Sequence, residues 1–305
     1  MKVAIIGNSS FLARHIKKCL AGENIQIQEF GSLESTADFH YFRYPENLIK
    51  VSHLKEAKVI LYLAGAGIQP KSNPDLATLY GVNTFEPIRI LNALREDGYS
   101  GTFISFGSYF EIGNCRDHRA FSEEEITYSA LLALNEYGTS KRLFSRFLTD
   151  LNQQKLPFKL LHFYLPNVYG VGENSQRLIP YIVNSLKSNE SIHLSNGHQI
   201  RQYLHVNDVA SFITRLIQQS SMRIDSGFYN LGSRDILSVK ELVMQVLQQA
   251  SELNWKIPEI KFGEVATRDM HAPYLAINDQ RVRKVFEWNP TIELSKGLKD
   301  YFAVV

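Results

Sequence analysis

The chain has very little cysteine: Cys19 and Cys115 are the only two in 305 residues. Two thiols build neither a disulfide framework nor a zinc site on their own, so both read as structural thiols in a reducing compartment. An excess of charge of one sign is also missing. Lys and Arg total 33 against 31 Asp and Glu, a net charge of +2. That excludes a strong electrostatic footprint for nucleic acid or an anionic membrane. No apolar run approaches the ~20 residues that span a bilayer. The N-terminus enters a strand directly, without the basic region, apolar core and small-residue cleavage site of a leader. A cytoplasmic protein with no nucleic-acid or membrane partner is the expectation. Internal repeats and low-complexity tracts are lacking too.

What is present is ordinary globular composition, 44% hydrophobic and 21% charged, in a chain long enough for a substantial core. Short apolar runs alternate with helical patterns. "KVAIIG", "IQIQEF", "AKVILYLAGAG", "GTFISFGS" and "FKLLHFYLPNVYG" read as strands. "SSFLARHIKKCLAG", "DLATLYGVNTFEPIRILNALRED" and "YGTSKRLFSRFLTDL" read as helices. In the second of these, Leu76, Leu79, Val82, Ile88, Ile90, Leu91 and Leu94 make the apolar stripe. This rhythm predicts an α/β fold of βαβ units, a Rossmann-type doubly wound parallel sheet, over residues 1–171. Residues 172–305 mix helices with short strands such as "SIHLSN" and "GFYNLGS", and predict a smaller α+β lobe joined by several crossings. In such sheets ligands bind beyond the carboxyl ends of the strands, at the switch point.

Two constellations carry chemistry. "IIGNSSFLA" is a strand, a tight turn and a helix start, the setting of a pyrophosphate loop. Gly7 permits the turn, and Ser10 and Ala13 are small enough for close approach. A plain connection with a serine cap explains the same residues. "YGTSK" places Tyr137 and Lys141 one helical turn apart on one face. A lysine ammonium near a phenol would lower its pKa and make it an acid–base. A surface Tyr–Lys pair is the ordinary explanation, but Ser108 stands at the end of the strand "FISFGS", where the cleft is predicted.

Together the turn GNSSFLA, Ala64 and Gly65 in "LAG", Asn83 in "YGVNTFEPIRILNAL", Ser108 and the Tyr137/Lys141 pair resemble the extended short-chain dehydrogenase/reductase family, more narrowly its nucleotide-sugar branch. "LPNVYGVGENSQRLIPYIV", "GHQIRQYLHVNDVA", "GFYNLGS" and the stretch from "TRDMHAPYLAINDQ" onward come in the branch's order, so the resemblance covers nearly the whole chain. It implies Tyr137 as acid–base, Lys141 also holding the nicotinamide ribose, and Ser108 orienting the sugar oxygen. Gly7, Ser10, Phe11 and Leu12 would line the cofactor loop, with Ala64, Gly65 and Asn83 nearby. Asn167, Arg201 and Arg268 would hold the nucleotide diphosphate, the guanidinium fork matching phosphate oxygens. Tyr109, the 113–135 insertion and the 172–200 segment would shape the sugar pocket. His205 and Asp208 read as packing and capping residues. A homodimer through "TFEPIRILNALRE" and "YGTSKRLFSRFLTDL" is implied as well.

The resemblance admits several reactions. A 4,6-dehydratase carries Asp and Glu directly after the hydroxyl residue, but Tyr109 and Phe110 come after Ser108, so elimination is not expected. The acidic residue that binds a ribose 2′-OH at the end of the second strand is replaced near Gly31 or Ser32, although Glu29 is close. This tilts the cofactor toward NADPH over NAD, with Arg14 and Ser32 as partners of a 2′-phosphate. The C-terminal third also resembles bacterial 4-ketoreductases of the CDP-abequose synthase type. The expectation is NADPH-dependent reduction of an NDP-4-keto-6-deoxysugar for surface polysaccharide. A sugar epimerase with tightly bound NAD is second, and a non-catalytic NAD(P)-binding scaffold or redox sensor third.

Overall fold

The structure, a computed structural model, describes residues 1–34, 38–67, 75–219, 224–267 and 272–303. The first half runs β1 (Lys2–Ile6), α1 (Phe11–Leu20), β2 (Gln26–Gly31), β3 (Phe39–Tyr41), β4 (Val59–Tyr62), α2 (Leu76–Tyr80), α3 (Glu86–Glu96), β5 (Thr102–Ser108), α4 (Glu123–Thr127), α5 (Glu136–Asn152) and β6 (Lys159–Leu165). It continues with β7 (Asn167–Tyr169), α6 (Leu178–Ser188), β8 (Ile192–Leu194), β9 (Ile200–His205), α7 (Val206–Gln218), β10 (Gly227–Asn230), β11 (Ile236–Ser238) and α8 (Val239–Glu252). The last elements are β12 (Ile260–Phe262), β13 (Tyr274–Leu275), α9 (Gln280–Phe286) and α10 (Leu294–Ala303).

One seven-stranded sheet has the order β10-β6-β5-β4-β1-β2-β3, every pairing parallel. Apolar runs such as the wholly buried β4 suit a sheet covered on both faces. Successive side chains of β1 point to opposite faces: Val3 and Ile5 pack with α1, α7 and α9, and Ala4 and Ile6 with α3 and α5. This is the doubly wound α/β sandwich that the periodicity predicts. Strand order reverses between β1 and β4, so a crevice opens beyond their carboxyl ends.

Two findings differ from the sequence reading. "GFYNLGS" supplies β10, which pairs with β6 in the large sheet, and α7 packs on its α1 face. Only α6, α8 and α10, with a sheet of β11, β9 and β13 plus β7 on β9 and the β8–β12 pair, form the separate second core. The helix predicted through 75–97 is interrupted by a π turn at Gly81–Phe85. Asn83 and Thr84, within the π turn, are buried, and Leu76, predicted on the apolar stripe, is exposed. Both cysteines are free thiols. Among the described residues no helix is long and apolar enough to cross a membrane.

Candidate active site

The turn after β1 is tight because Gly7 takes φ +88°, and a Cβ there would lie 2.6 Å from Ala64 Cα. Conformation and contact both demand glycine. Ser10 caps α1, its Oγ accepting the Ala13 N–H at 3.2 Å, and its carbonyl accepts Arg14 N–H at 3.1 Å. Helix geometry leaves the Phe11 and Leu12 amides without an intrahelical partner, at the positive end of the helix dipole. Cap and anion loop are therefore compatible, since a hydroxyl that accepts still carries a proton to donate.

The loop after β4 bridges this turn to α5. Asn83 accepts the Ala66 N–H at 2.9 Å and donates to Ala66 O at 3.0 Å and to Ser140 Oγ at 2.9 Å. Thr84 Oγ1 donates to Ser140 O at 2.8 Å. Asn83 is thus an internal tie made possible by the π turn. A Cβ on Gly67, at φ +81°, would sit 3.6 Å from Tyr137 Cβ. Ala64 therefore touches the Gly7 turn, Gly67 touches Tyr137, and Gly65 is exposed between them.

Ser108 ends β5, accepts the Phe110 N–H at 3.2 Å and stands beside Tyr137. Asn135 caps α5 by accepting Gly138 N–H at 2.9 Å. Gly138 lets the helix begin against Phe110, whose carbonyl oxygen would lie 3.3 Å from a Cβ there. Lys141 is buried one turn later and donates to Phe106 O at 3.0 Å. Burial and then the Glu111 carboxylate push the Tyr137 phenol well up, against opposition from the neighbouring Ser108 hydroxyl and the Arg177 charge. Although part of Tyr137's surface stays open, its hydroxyl end is desolvated. Burial brings Lys141 down to about 8, with Glu111 opposing. The expectation that Lys141 lowers the tyrosine pKa is corrected here: its ammonium is held by a carbonyl, and the phenol answers to burial and a carboxylate.

Glu111 was not anticipated, although Ser108-x-x-Glu111 is a readable capping box. Its Oε1 accepts the Ser108 N–H at 2.8 Å and its Oε2 accepts Ser145 Oγ at 2.6 Å. Ser145 also bonds His162 Nε2 at 3.1 Å, and His162 Nδ1 meets Ser105 Oγ at 2.8 Å. Burial holds His162 neutral, its pKa near 3, and lifts Glu111 to about 7.

The other expected positions fare unevenly. Ser32 is exposed just past β2. Glu29 is committed to Lys17 Nζ at 2.8 Å and Asn8 Nδ2 at 3.0 Å. Arg14 does not join Ser32 at a 2′-phosphate position. Its guanidinium donates to Ser9 O at 2.7 Å and Gly172 O at 2.6 Å, bracing the loop after β7. Tyr109 is no pocket wall: it is 1% exposed and packs with Ile112, Phe121, Tyr164 and Leu275. Asn167, on β7, stands opposite Tyr203 of β9 in the strand pairing. Arg201 is buried on β9 and donates to Ile200 O at 2.8 Å and Ala272 O at 2.9 Å, a brace within the second lobe. Arg268 lies outside the described residues. Arg177, at the start of α6, was missed; it pairs with Glu173 at 3.1 Å, and its charge reaches Tyr137 and Tyr203. The Glu-x-x-x-Arg spacing was the signal for it. His205 caps α7 and Asp208 accepts from Thr291 and Ile292, as packing and capping roles require.

Comparison with known proteins places the whole chain among relatives of one family. The model of the NAD dependent epimerase/dehydratase family covers residues 3–232. The chain belongs to this family. This epimerase/dehydratase family member is 26% identical over 278 residues to the GDP-6-deoxy-D-talose 4-dehydrogenase of Aggregatibacter actinomycetemcomitans, covering 90% of this chain and 87% of that one. It is 24% identical over 309 residues to the CDP-abequose synthase of Salmonella typhimurium, covering 98% and 96%. The solved structure of MoeE5 in complex with UDP-glucuronic acid and NAD shares the fold, with a TM-score of 0.82 at 19% identity over 100% of this chain and 99% of that one.

Proposed function

We propose that the chain reduces the C4 ketone of an NDP-4-keto-6-deoxyhexose with NADPH, for deoxysugars of surface polysaccharide. The observation that carries the reading is Ser108 at the sheet's carboxyl edge, at the end of β5, with Tyr137 and the buried Lys141 one helical turn apart on α5 beside it. The nicotinamide, when bound, supplies a hydride to the carbonyl carbon. Tyr137 gives its proton to the carbonyl oxygen, so ketone becomes alcohol, and Ser108 orients that oxygen. Lys141 spends one of three N–H donors on Phe106, which leaves donors for the nicotinamide ribose. The residues fit a dinucleotide: the Gly7 turn presents Ser10 and the Phe11 and Leu12 amides to a pyrophosphate, and Ala64 and Gly65, braced by Asn83, flank it.

The end of β2 favours NADPH, because Ser32 stands where a carboxylate would repel a 2′-phosphate and Glu29 is already paired. Asn167, Arg177 and Arg201 mark the side of the second lobe from which the nucleotide diphosphate would be held. Exposed Phe85 beside α3 and Leu143 on α5 support a homodimer. The name of one relative, a 6-deoxy-sugar 4-dehydrogenase, describes the same redox carbon.

The test is a panel of 4-keto-6-deoxy nucleotide sugars followed by loss of NADPH absorbance. Turnover with one of them is expected, and Tyr137→Phe should abolish it while NADPH still binds. Failure to bind NADPH would end the reductase reading, and turnover by Tyr137→Phe would show that another group gives the proton.

A further inference from the structure

Gly31, the last residue of β2, is not a glycine for the sake of its backbone: its φ lies outside the left-handed region that Gly7 and Gly22 adopt. The reason is space. A Cβ on Gly31 would stand 1.9 Å from Asn8 Oδ1 and 2.9 Å from Asn8 Cγ. The Asn8 carboxamide therefore occupies the volume into which a side chain at position 31 would project. It is also tied there. Asn8 is 1% exposed, and its Nδ2 donates to Glu29 Oε2 at 3.0 Å and to Leu33 O at 2.7 Å. These two acceptors use both amide protons and set which end of the carboxamide faces Gly31. Turning Asn8 aside to admit a Cβ would break both bonds.

The end of β2 lies against the cofactor turn. Ile6 pairs with Phe30, and Phe30 O accepts the Gly7 N–H at 2.8 Å and the Asn8 N–H at 3.2 Å. An acid at the end of the second strand accepts the ribose 2′-OH of NAD, and the same carboxylate would repel a 2′-phosphate. We propose that Asn8 is a specificity-determining residue: reaching across from the cofactor turn, it fills the space of that acid, so no carboxylate can stand at position 31 and the ribose edge accepts the 2′-phosphate of NADPH. This rests on the reading of the Gly7 turn as the cofactor site. Glu29, two residues earlier on β2, does not replace the acid. It is 1% exposed, and its Oε2 takes Lys17 Nζ at 2.8 Å as well as Asn8. The tie to Leu33 O also holds the chain leaving β2, and with it the exposed Ser32, whose hydroxyl can donate to a phosphate.

Two measurements test the exchange of space. In urea unfolding, Gly31→Ala should lower the midpoint of the native chain but leave it unchanged once Asn8→Gly has emptied the space; equal losses in both backgrounds overturn the proposal. Binding of NADPH and of NADH is then read by nucleotide fluorescence without sugar. Asn8→Gly alone should weaken both dinucleotides by a similar factor. Asn8→Gly/Gly31→Asp should weaken NADPH relative to NADH by roughly 100-fold, the scale on which juxtaposed like charges reject a ligand. An unchanged ratio overturns the proposal. If that double variant does not fold, Asn8→Ala/Gly31→Asp is titrated in its place, and loss of fold in both overturns the proposal because the space would then not accept an acid. If the native chain binds neither dinucleotide, the cofactor reading falls and takes this proposal with it. If it binds NADPH and the ratio stays unchanged in the double variant, only the role of Asn8 falls.

Discussion

Replacing Gly7 by alanine tests the architecture of the cofactor turn directly. The structure sets two separate costs. At φ +88° an L-residue is in the left-handed region, which costs roughly 1–2 kcal/mol. The new Cβ would also overlap the backbone of residues 63–64, at 2.7 Å from Leu63 C and 2.6 Å from Ala64 Cα. These are backbone atoms at the end of β4, with no rotamer to turn aside, and overpacking of this kind costs roughly 1–3 kcal/mol. The sum is about 2–5 kcal/mol, read as a fall in urea midpoint at unchanged slope. Relief of the clash must push the turn away from the β4 loop, so NADPH binding should weaken as well. Gly22→Ala is the control. Its φ is +90° but nothing lies within 4 Å of the added Cβ, so it should show only the conformational cost, roughly 1–2 kcal/mol, and leave NADPH binding unchanged. If Gly7→Ala is no more destabilising than Gly22→Ala and binds NADPH as tightly, the close approach of the two loops is not what shapes the site.

Stability should depend on pH through the buried pair. Glu111, raised from 4.5 to about 7 on folding, binds more protons in the native state, so stability should fall as pH rises from about 4.5 to 7. Lys141, lowered from 10.5 to about 8, binds fewer, so stability should recover between about 8 and 10.5. Urea midpoints across pH would show both slopes, and Glu111→Gln should remove the first; if that slope survives, it comes from another group. Ser10→Ala should cost about 1 kcal/mol through loss of the α1 cap and Ser10→Gly only a few tenths, both read by urea unfolding. Asp208 accepts from Thr291 N, Thr291 Oγ1 and Ile292 N at 2.9, 2.9 and 3.1 Å. Asp208→Ala should therefore cost about 1–2 kcal/mol by removing a charged acceptor from two partly buried backbone donors and should make the chain beyond Thr291 the first to be cut by protease.

The sequence made legible whatever is set by local periodicity. Alternation within β1, the unbroken apolar run of β4 and the helical spacing of α1 and α5 specify which face each residue takes, and so the sheet, its two helical layers and the Tyr137–Lys141 register. It did not make legible where polar groups find partners. Arg14 looks like a phosphate ligand on its helix, but the carbonyl that claims it belongs to Gly172, 158 residues away. Tyr109 is likewise taken up by the core beneath the 109–128 segment. The π turn was hidden for a related reason. It places Asn83 between Ala66 and Ser140, and its justification lies in those two distant groups.

Glu111 shows most clearly how local pattern and tertiary setting divide the work. Three Ser-x-x-Glu boxes look alike in the sequence, and in each the glutamate carboxylate accepts the serine N–H at a helix start. In solvent those bonds decide the outcome, and the carboxyl drops below its usual range. Under β5, loss of water outweighs the same bonds and the carboxyl rises. The spacing thus predicts the cap, whereas the direction in which the carboxyl's pKa moves depends on which layer of the fold the cap is built into.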